Sequence, residues 1–399
     1  MTISKTHKGP LAGIRVLDFT RVVAGPYCTM MLGDFGAEII KVEDPNGGDE
    51  LRSLGPPFIG TESIFFLSVN RNKKSISLNL KDAESIKAIK ELILSVDVLI
   101  ENFRPGVMKR LGLSYESLRR LNPRLIYCSI SAFDERSSRY GDRPGYDLLV
   151  SGISGLQSIT GEPGRTPLRP GINLVDLTAA NNAAMGILMA IIERQSSGKG
   201  QKINVSLMDG AFALLGQLAA VYLNTGKVPE RRVPEDLHSQ VVPYGTFLTK
   251  DNRHLNVTVP NNKFWASFCK ALNRVEWTND PRFITNAKRI SNRGTLIALV
   301  AKRFEQEIRN KWIDRLLAND VPAGPVNTID EVVKDGYLDE VGMLVRMQHP
   351  TCGDVVLASI PIRLSKTPGK VRLPSPGLGQ HNSILKQQKS ATKRKPTAD

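Results

Sequence analysis

Asp176 is the residue of this sequence with the clearest potential for chemistry. It lies within residues 168–178, directly before a segment with the apolar periodicity of a helix. A carboxylate there is either an ordinary helix N-cap, worth about 1 kcal/mol, or a nucleophile held among the unpaired N–H groups of the first turn. The helix macrodipole favours the ionised carboxylate in both cases. The local pattern does not separate the two roles, and taken alone it favours the cap.

Four other side chains also allow either a structural or a functional interpretation, with weaker support for function. Asp209 precedes an apolar segment and fits a structural cap, and Asp18 ends a predicted strand and fits a turn-forming role. Asp147, next to Tyr146, either orients an acyl group or bonds its own loop. His238 either lines an acyl site or is an ordinary loop histidine. None of these alternatives is decided by the sequence.

Cysteine and histidine give no support for a metal site. The four cysteines are far apart and form no CxxC pair, and the five histidines show no metal-ligand spacing. We therefore predict no metal and no disulfide framework, with reduced and buried thiols instead.

The elements that must position these residues alternate between strand and helix. Strands are predicted at residues 14–18, 37–43, 75–79, 97–101, 124–130 and 201–207, and the helices between and after them include residues 26–35, 82–95 and the segment after Asp176. This alternation predicts an α/β fold with a Rossmann-like, mostly parallel sheet and helices on both faces. Neither GxGxxG nor GxxxxGK[ST] occurs, which disfavours a hydride-transfer enzyme and an ATPase.

Changes in composition along the chain predict its domains. Residues 1–223 form a large Rossmann-like domain, and residues 224–325 form a linker and a smaller α/β domain. Residues 326–385 return to complete the large domain, and residues 386–399 are a basic disordered tail.

Composition limits the class of protein. The hydrophobic fraction of 41% and the charged fraction of 23% are ordinary for a soluble globular protein. No apolar stretch is long enough to span a membrane, and the first ten residues show no targeting pattern, so we expect a cytoplasmic protein. The net charge of +15 fits three interpretations: a nucleic-acid partner, a phosphate-rich cofactor, or a basic solvated surface.

An ordered set of motifs carries a resemblance that covers nearly the whole chain. The matching segments are residues 17–26, 36–43, 70–76, 101–106, 145–147, 175–177, 197–201 and 377–381. In this set the chain resembles class III CoA-transferases of the formyl-CoA transferase and carnitine-CoA transferase type. Residues 60–63, 67–76 and 242–244 bring it nearest to the succinate–hydroxymethylglutarate CoA-transferase branch.

The resemblance implies a function for individual residues. The family nucleophile falls on Asp176. The family's contacts to CoA fall on Val23, Ala24, Leu78, Asn79, Lys81, Asn102, Phe103, Arg104, Arg110, Arg143 and Tyr146. It also implies a homodimer of two interlocked subunits with the active site where they meet, and acyl-CoA and a small carboxylic acid as partners.

Two departures from the family pattern limit the substrates. The formyl-CoA branch has a glutamine where this chain has Val23, and a glycine-rich flap where this chain has residues 259–263, so oxalate and formyl-CoA are disfavoured. Racemases of the superfamily have a catalytic histidine where this chain has Tyr146. Proton exchange at an α-carbon would therefore lack half of its acid–base pair.

Three hypotheses follow. The first is a CoA-transferase that moves CoA from succinyl-CoA or another dicarboxylyl-CoA to a free acid, through an aspartyl mixed anhydride and an aspartyl-CoA thioester. The second is an acyl-CoA racemase or epimerase on the same fold. The third is a nucleic-acid-binding protein that uses its basic surface. We expect the first, with no metal, nucleic-acid or membrane partner.

Overall fold

The computed structural model describes residues 9–386, so the predicted basic tail lies outside the described residues except for Lys386. The strands are β1 Arg15–Asp18, β2 Glu38–Glu43, β3 Phe58–Ile59, β4 Glu62–Ser63, β5 Lys73–Ser77, β6 Val98–Glu101, β7 Ile126–Ser131, β8 Lys202–Ser206, β9 Tyr244–Leu248, β10 His254–Thr258, β11 Ala323–Pro325, β12 Leu344–His349 and β13 Gly353–Ala358. The α-helices are α1 Ala24–Asp34, α2 Ile64–Val69, α3 Ala83–Ile93, α4 Val107–Arg110, α5 Tyr115–Leu121, α6 Asp147–Ile153, α7 Leu174–Ser197, α8 Leu207–Leu214, α9 Gly216–Thr225, α10 Asn262–Ala271, α11 Asn286–Ser291, α12 Arg293–Phe304, α13 Arg309–Leu317, α14 Ile329–Lys334 and α15 Tyr337–Glu340. Short 3-10 turns occupy Glu50–Ser53, Leu156–Ile159 and Val275–Thr278.

A six-stranded parallel sheet is the centre of the first part of the chain. Its strand order is β5-β2-β1-β6-β7-β8, and every neighbouring pair is parallel. Counted along the chain, this is the 3-2-1-4-5-6 order of the doubly wound dinucleotide-binding fold. The prediction of an α/β fold with a mostly parallel sheet is therefore confirmed. The order reverses between β1 and β6, and ligands of such sheets bind beyond the carboxyl ends of the strands at that point.

Helices cover both faces of this sheet, which is why its central strands β2, β1 and β6 are almost wholly buried. On one face Leu17, Ile40 and Leu99 pack with Ile89 of α3 and Leu118 of α5, all of them fully buried. On the other face α1 and α7 pack together, and α7 also contacts β7, β8 and α8.

Helix α7 is long and apolar enough to pass a length-and-composition test for a membrane span. In this protein, however, 44% of that apolar window is buried. The buried residues are mainly alanines, among them Ala179, Ala180, Ala183 and Ala184. Small side chains let α1 and the strands β7 and β8 approach the buried side of α7 closely.

The contacts divide the chain into two compact units. The first contains residues up to Leu156, Pro170–Ala219 and the residues from Leu338, and the second contains Gln157–Arg169 and Ala220–Tyr337. The second unit thus extends past residue 325, where the sequence placed the start of the return segment. The reason is long-range bonding: the N–H of Val326 donates to the carbonyl of His254 at 3.0 Å, and Arg253 pairs with Glu331.

The second unit has its own sheet and core. Its three strands run in the order β11-β10-β9 and are antiparallel. The core is rich in aromatic side chains, and Phe304 meets Trp312 edge to face with ring centroids 5.3 Å apart. The Nε1–H of Trp312 donates to the Phe304 carbonyl at 2.8 Å, which satisfies its only polar atom inside the core.

Candidate active site

A cavity of about 380 Å³ lies at the carboxyl edge of the parallel sheet. It is lined by Arg21, Val22, Val23, Ala24, Glu50, Asn102, Phe103, Arg104, Pro105, Val107, Ile130, Ser131, Ala132, Arg143, Pro144, Gly145, Tyr146, Asp176 and Leu207. These residues follow β1 and β6, end β7, precede α6 and begin α7 and α8. The cavity therefore lies at the point where the strand order reverses, the expected ligand position of this fold.

Asp176 is half-buried and lines this cavity. It is the third residue of α7, which begins at Leu174, so the expectation that it stands before the helix is wrong. An N-cap precedes the first helical residue, whereas a third helical residue lies within the first turn, where backbone N–H groups have no partner in the helix. The side chain is thus placed beside the positive end of α7.

Asp147 acts as the acceptor for the first turn of α7. Its Oδ2 accepts the N–H of Val175 at 2.9 Å and that of Asp176 at 3.3 Å. Asp147 is buried, is the first residue of α6 and does not line the cavity. Neither sequence-based alternative for Asp147 included this bridge from α6 to α7. It fixes the backbone that carries Asp176.

Asp209 repeats the position of Asp176 in the next helix. It is the third residue of α8, and the cap is Ser206, whose Oγ accepts the N–H of Asp209 at 3.1 Å. The interpretation of Asp209 as the cap is therefore wrong, because α8 begins at Leu207, two residues before Asp209. Asp209 is exposed and does not line the cavity.

The loop between β1 and α1 forms one wall of the cavity and has an unusual backbone. Val22 has a φ of 66°, in the left-handed region that a β-branched residue rarely adopts. Its N–H donates to Oδ1 of the buried Asp49 at 3.1 Å. Asn102 binds the backbone of Arg21, the residue before Val22, at two points. Its Oδ1 accepts the N–H of Arg21 and its Nδ2 donates to the Arg21 carbonyl, both at 2.9 Å. Such strain persists only where the surroundings determine the conformation.

Gly25 lets this loop close onto the start of α1. A Cβ added at Gly25 would lie 2.2 Å from Cβ of Thr20, far inside contact distance. Any side chain at residue 25 would therefore push α1 away from the end of β1. The glycine in this motif is explained by close approach, not by a positive φ.

Two buried ion pairs adjoin the loop between β1 and α1. Nζ of Lys73 lies 3.2 Å from Asp18, and Nζ of Lys41 lies 2.9 Å from Asp49 and 2.6 Å from the Thr20 carbonyl. Burial lowers the pKa of Lys73 to about 8, although Asp18 opposes this shift. Burial would raise the pKa of Asp18, but Lys73, Lys41 and two threonine hydroxyls outweigh it, so that pKa is lowered. Asp18 thus makes the turn contact expected of it, with Thr20, and a buried ion pair as well.

Phe103 stands between this cavity and a second one of about 550 Å³, which lies along α5 and the ends of β6 and β7. Glu101 lines the second cavity, where its Oε2 accepts the N–H of Phe103 at 2.9 Å and its Oε1 accepts the hydroxyl of Ser129 at 2.6 Å. Burial raises the pKa of Glu101. Glu101 therefore fixes the start of the loop that carries Phe103 and Arg104.

Comparison with known proteins identifies the family. The sequence pattern described as CoA-transferase family III matches residues 11–382. The chain belongs to CoA-transferase family III. It is 41% identical to the human (Homo sapiens) succinyl-CoA:glutarate CoA-transferase, over 95% of this chain and 86% of that protein. It is 34% identical to the succinate–glutarate CoA-transferase of Agrobacterium fabrum, over 100% of both chains.

A solved structure agrees with this identification. The crystal structure of a CAIB/BAIF family protein from Brucella suis matches this CoA-transferase with a TM-score of 0.85 and 35% identity, over 96% of this chain and 99% of that one. The resemblance to class III CoA-transferases is therefore confirmed, and so is the prediction that this chain is an enzyme of that class.

Nine of the eleven residues expected to contact CoA fall into two groups in this CoA-transferase. Those that line the cavity with Asp176 are Val23, Ala24, Asn102, Phe103, Arg104, Arg143 and Tyr146. Lys81 and Arg110 instead line a surface groove between α3 and α4. Leu78 packs on the core beside α3, and the side chain of Asn79 bonds Asp82 and the N–H of Lys81. Helix α4 connects the two groups, because Val107 at its start lines the cavity and Arg110 at its end lines the groove.

Some residues that line the cavity were not predicted as site residues from the sequence, namely Arg21, Glu50, Ser131 and Leu207. Arg21 lies inside the matched segment 17–26, so the signal was present without a role attached. Glu50 and Ser131 come from a loop and a strand end that no motif marked. Their place in the cavity follows from the sheet order alone.

His238 belongs to the second unit. Its Nδ1 accepts the N–H of Gln240 at 3.0 Å, and its ring lies 5.2 Å from that of Tyr244. These are contacts of an ordinary loop histidine, and an acyl-site role stays a hypothesis. Within residues 9–386, no three His, Cys, Asp or Glu side chains are grouped so that they could hold a metal ion.

Proposed function

We propose that this CoA-transferase moves CoA from succinyl-CoA to a second dicarboxylic acid such as glutarate, with Asp176 as the nucleophile. The observation that carries the proposal is the place of Asp176, on the first turn of α7 and inside the cavity at the sheet's carboxyl edge. The names of the relatives support the substrate class, since both act on succinyl-CoA or succinate together with glutarate.

The chemistry needs one carboxylate and no external base. The Asp176 carboxylate attacks the thioester carbonyl of succinyl-CoA, which forms a mixed anhydride and releases the CoA thiolate. The thiolate attacks the aspartyl carbonyl, which forms aspartyl-CoA thioester and releases succinate. Glutarate then attacks that thioester, which forms a mixed anhydride of Asp176 and glutarate and releases the CoA thiolate. The thiolate finally attacks the glutaryl carbonyl of this anhydride. The products are glutaryl-CoA and the regenerated Asp176 carboxylate. The start of α7 stabilises negative charge that develops beside Asp176 at each step.

The two groups of basic residues suit an extended ligand that carries phosphates. Arg104 and Arg143 are exposed at the cavity, and Lys81 and Arg110 are exposed at the groove. Helix α4 between them is a single turn, about 6 Å long. We place the thioester end of CoA in the cavity and its phosphates along α4 and the groove, where guanidinium groups bind phosphate in bidentate fashion.

We also propose that the enzyme is an interlocked homodimer. Large apolar side chains are exposed on successive helices of the first unit, including Leu148 of α6 at 57%, Met189 and Ile192 of α7 at 66% and 65%, and Phe212 of α8 at 44%. An apolar surface of this kind marks a protein interface in a soluble protein. The cytoplasmic location and the absence of nucleic-acid and membrane partners stay predictions.

The racemase alternative is weaker because of Tyr146. The side chain at that position lines the cavity and is 63% exposed. A phenol is a poor base at neutral pH, in contrast to an imidazole. Deuterium wash-in at the α-carbon of an acyl-CoA, with no acceptor acid present, would restore the racemase hypothesis.

A covalent trap tests the nucleophile. The enzyme is mixed with succinyl-CoA, quenched in acid and digested with trypsin, which places Asp176 in peptide 166–194 and Asp209 in peptide 203–227. We expect a succinyl or CoA adduct on the first peptide only. Glutaryl-CoA that accumulates while peptide 166–194 is never labelled would overturn the role of Asp176.

A panel of acids, incubated with succinyl-CoA and read by mass for new CoA esters, tests the substrate class. We expect glutarate and other dicarboxylic acids to be converted fastest. If no acid in the panel accepts CoA, the proposed activity is wrong.

A further inference from the structure

Arg21 holds a guanidinium inside the candidate active site that has no assigned role. It follows β1, lines the cavity with Asp176, and its Cζ lies 5.3 Å from the centre of the Phe103 ring. Arg21 is half-buried, whereas Arg104 and Arg143 of the same cavity are exposed. It is therefore the least exposed of the three arginines that line the cavity.

The charge of Arg21 has no acidic partner in residues 9–386. Two other arginines of low exposure have an acidic partner: Arg71 pairs with Asp34 at 2.7 Å, and Arg52 pairs with Glu43 at 2.8 Å. Removing a guanidinium from water is costly unless an anion or several acceptors compensate it. A cationic side chain aimed into a cavity without such an anion is suited to bind one from the substrate.

The backbone of Arg21 is held more firmly than a surface loop would require. Asn102 binds both its N–H and its carbonyl, and the next residue, Val22, is held in a left-handed conformation by Asp49. Asp49 is fully buried against Lys41. A side chain used for recognition gains specificity from such fixation, because less freedom is lost when the ligand binds.

The lower exposure of Arg21 favours a different anion from the one that suits the exposed basic residues. The phosphates of CoA are strongly hydrated, and the exposed groups Arg104, Arg143, Lys81 and Arg110 suit them. The acyl group must reach Asp176, which shares the cavity with Arg21. A dicarboxylic acyl group carries a second carboxylate that has to be bound inside that cavity.

We propose that Arg21 binds the distal carboxylate of the dicarboxylic acyl group and so determines selectivity for dicarboxylic over monocarboxylic acids. This inference rests on the proposed function, since it assumes transfer by way of Asp176. It assigns Arg21 to the acyl group and not to CoA. Its guanidinium would make the bidentate contact that carboxylates favour.

The test compares two acceptors of equal chain length, glutarate and pentanoate, in the wild type, Arg21→Met and Arg21→Lys. Because the exchange passes through covalent enzyme intermediates, kcat/KM for the acceptor does not depend on the donor used. Loss of a hydrogen-bonded ion contact predicts that Arg21→Met lowers kcat/KM for glutarate by about 10- to 100-fold. The value for pentanoate should change by less than about 3-fold. The kcat/KM of Arg21→Lys for glutarate should lie between those of the wild type and Arg21→Met, because lysine keeps the charge and loses the bidentate guanidinium geometry.

The outcomes separate the possible roles. Titration of free CoA into each protein shows whether the variant is folded and whether Arg21 contacts CoA. An equal loss for glutarate and pentanoate, together with weaker binding of CoA, would assign Arg21 to a CoA phosphate and overturn the proposal. An equal loss with unchanged CoA binding would also overturn it, because selectivity would not depend on Arg21. If the wild type transfers CoA to neither acid, the proposed function fails first, and this inference fails with it.

Discussion

The first turns of α7 and α8 are alike in local sequence and differ in what they can do. Each has an aspartate as its third residue, and each has a side chain that accepts backbone N–H groups of that turn. In α8 the acceptor is the neighbouring Ser206, and Asp209 is exposed. In α7 the acceptor is Asp147, a buried carboxylate from another helix, and Asp176 lines the cavity. The same local motif is therefore structural in one helix and available for chemistry in the other, and the position at the sheet edge decides between them.

Exchange of each aspartate for alanine should give the largest contrast. We expect Asp176→Ala to lower kcat for CoA transfer by at least about 10³-fold, because removal of a nucleophile leaves only substrate binding and electrostatic stabilisation. Asp209→Ala should change kcat by less than about 2-fold. Initial rates of CoA-ester formation measure both, and circular dichroism confirms that both variants fold. Comparable losses in the two variants would show that the α7 aspartate has no special role.

The two acceptor side chains allow a finer comparison. Asp147→Ala should destabilise the protein by about 1–3 kcal/mol, because it removes the acceptor of the Val175 and Asp176 N–H groups. It should also lower kcat by about 10-fold or more, since the turn that carries Asp176 is released. Ser206→Ala should cost about 1 kcal/mol of stability, as other helix caps do, and leave kcat nearly unchanged. Urea unfolding and initial rates measure these effects.

A result in which the two acceptor variants reduce activity in proportion to lost stability would contradict positioning by Asp147. In that case both side chains would act only on folding. Asp147→Asn is a useful intermediate, because the amide keeps an oxygen acceptor in place without the charge.

The difference between the two turns explains what could be predicted from the sequence. Alternating apolar strands and helices were sufficient for the parallel sheet, because that pattern is local. The bond from Asp147 to Val175 joins residues 28 positions apart, and the bond from Asp49 to Val22 joins residues 27 apart. Nothing in either segment indicates its partner, since polar contacts of this kind depend on the tertiary fold. The same reason applies to Glu50, and to residues 326–337, where Val326 bonds His254 and Glu331 pairs with Arg253.

The stability that the carboxylates of Asp209 and Asp147 contribute to the two turns should also depend differently on salt. This is the smallest effect we expect. Asp209→Asn should destabilise the protein by about 0.3–1 kcal/mol at low ionic strength, because an exposed carboxylate interacts with the helix dipole. That loss should shrink towards zero at 1 M salt, where charges are screened within about 3 Å. Asp147 is only 6% exposed, so the loss from Asp147→Asn should be larger and almost independent of salt. Urea unfolding at about 0.05 M and about 1 M NaCl, chosen for weak and strong screening, measures the stability loss of both variants. If the loss from Asp147→Asn falls with salt as steeply as that from Asp209→Asn, the Asp147 carboxylate is open to solvent, and the distinction between a buried positioning contact and an exposed first-turn carboxylate disappears.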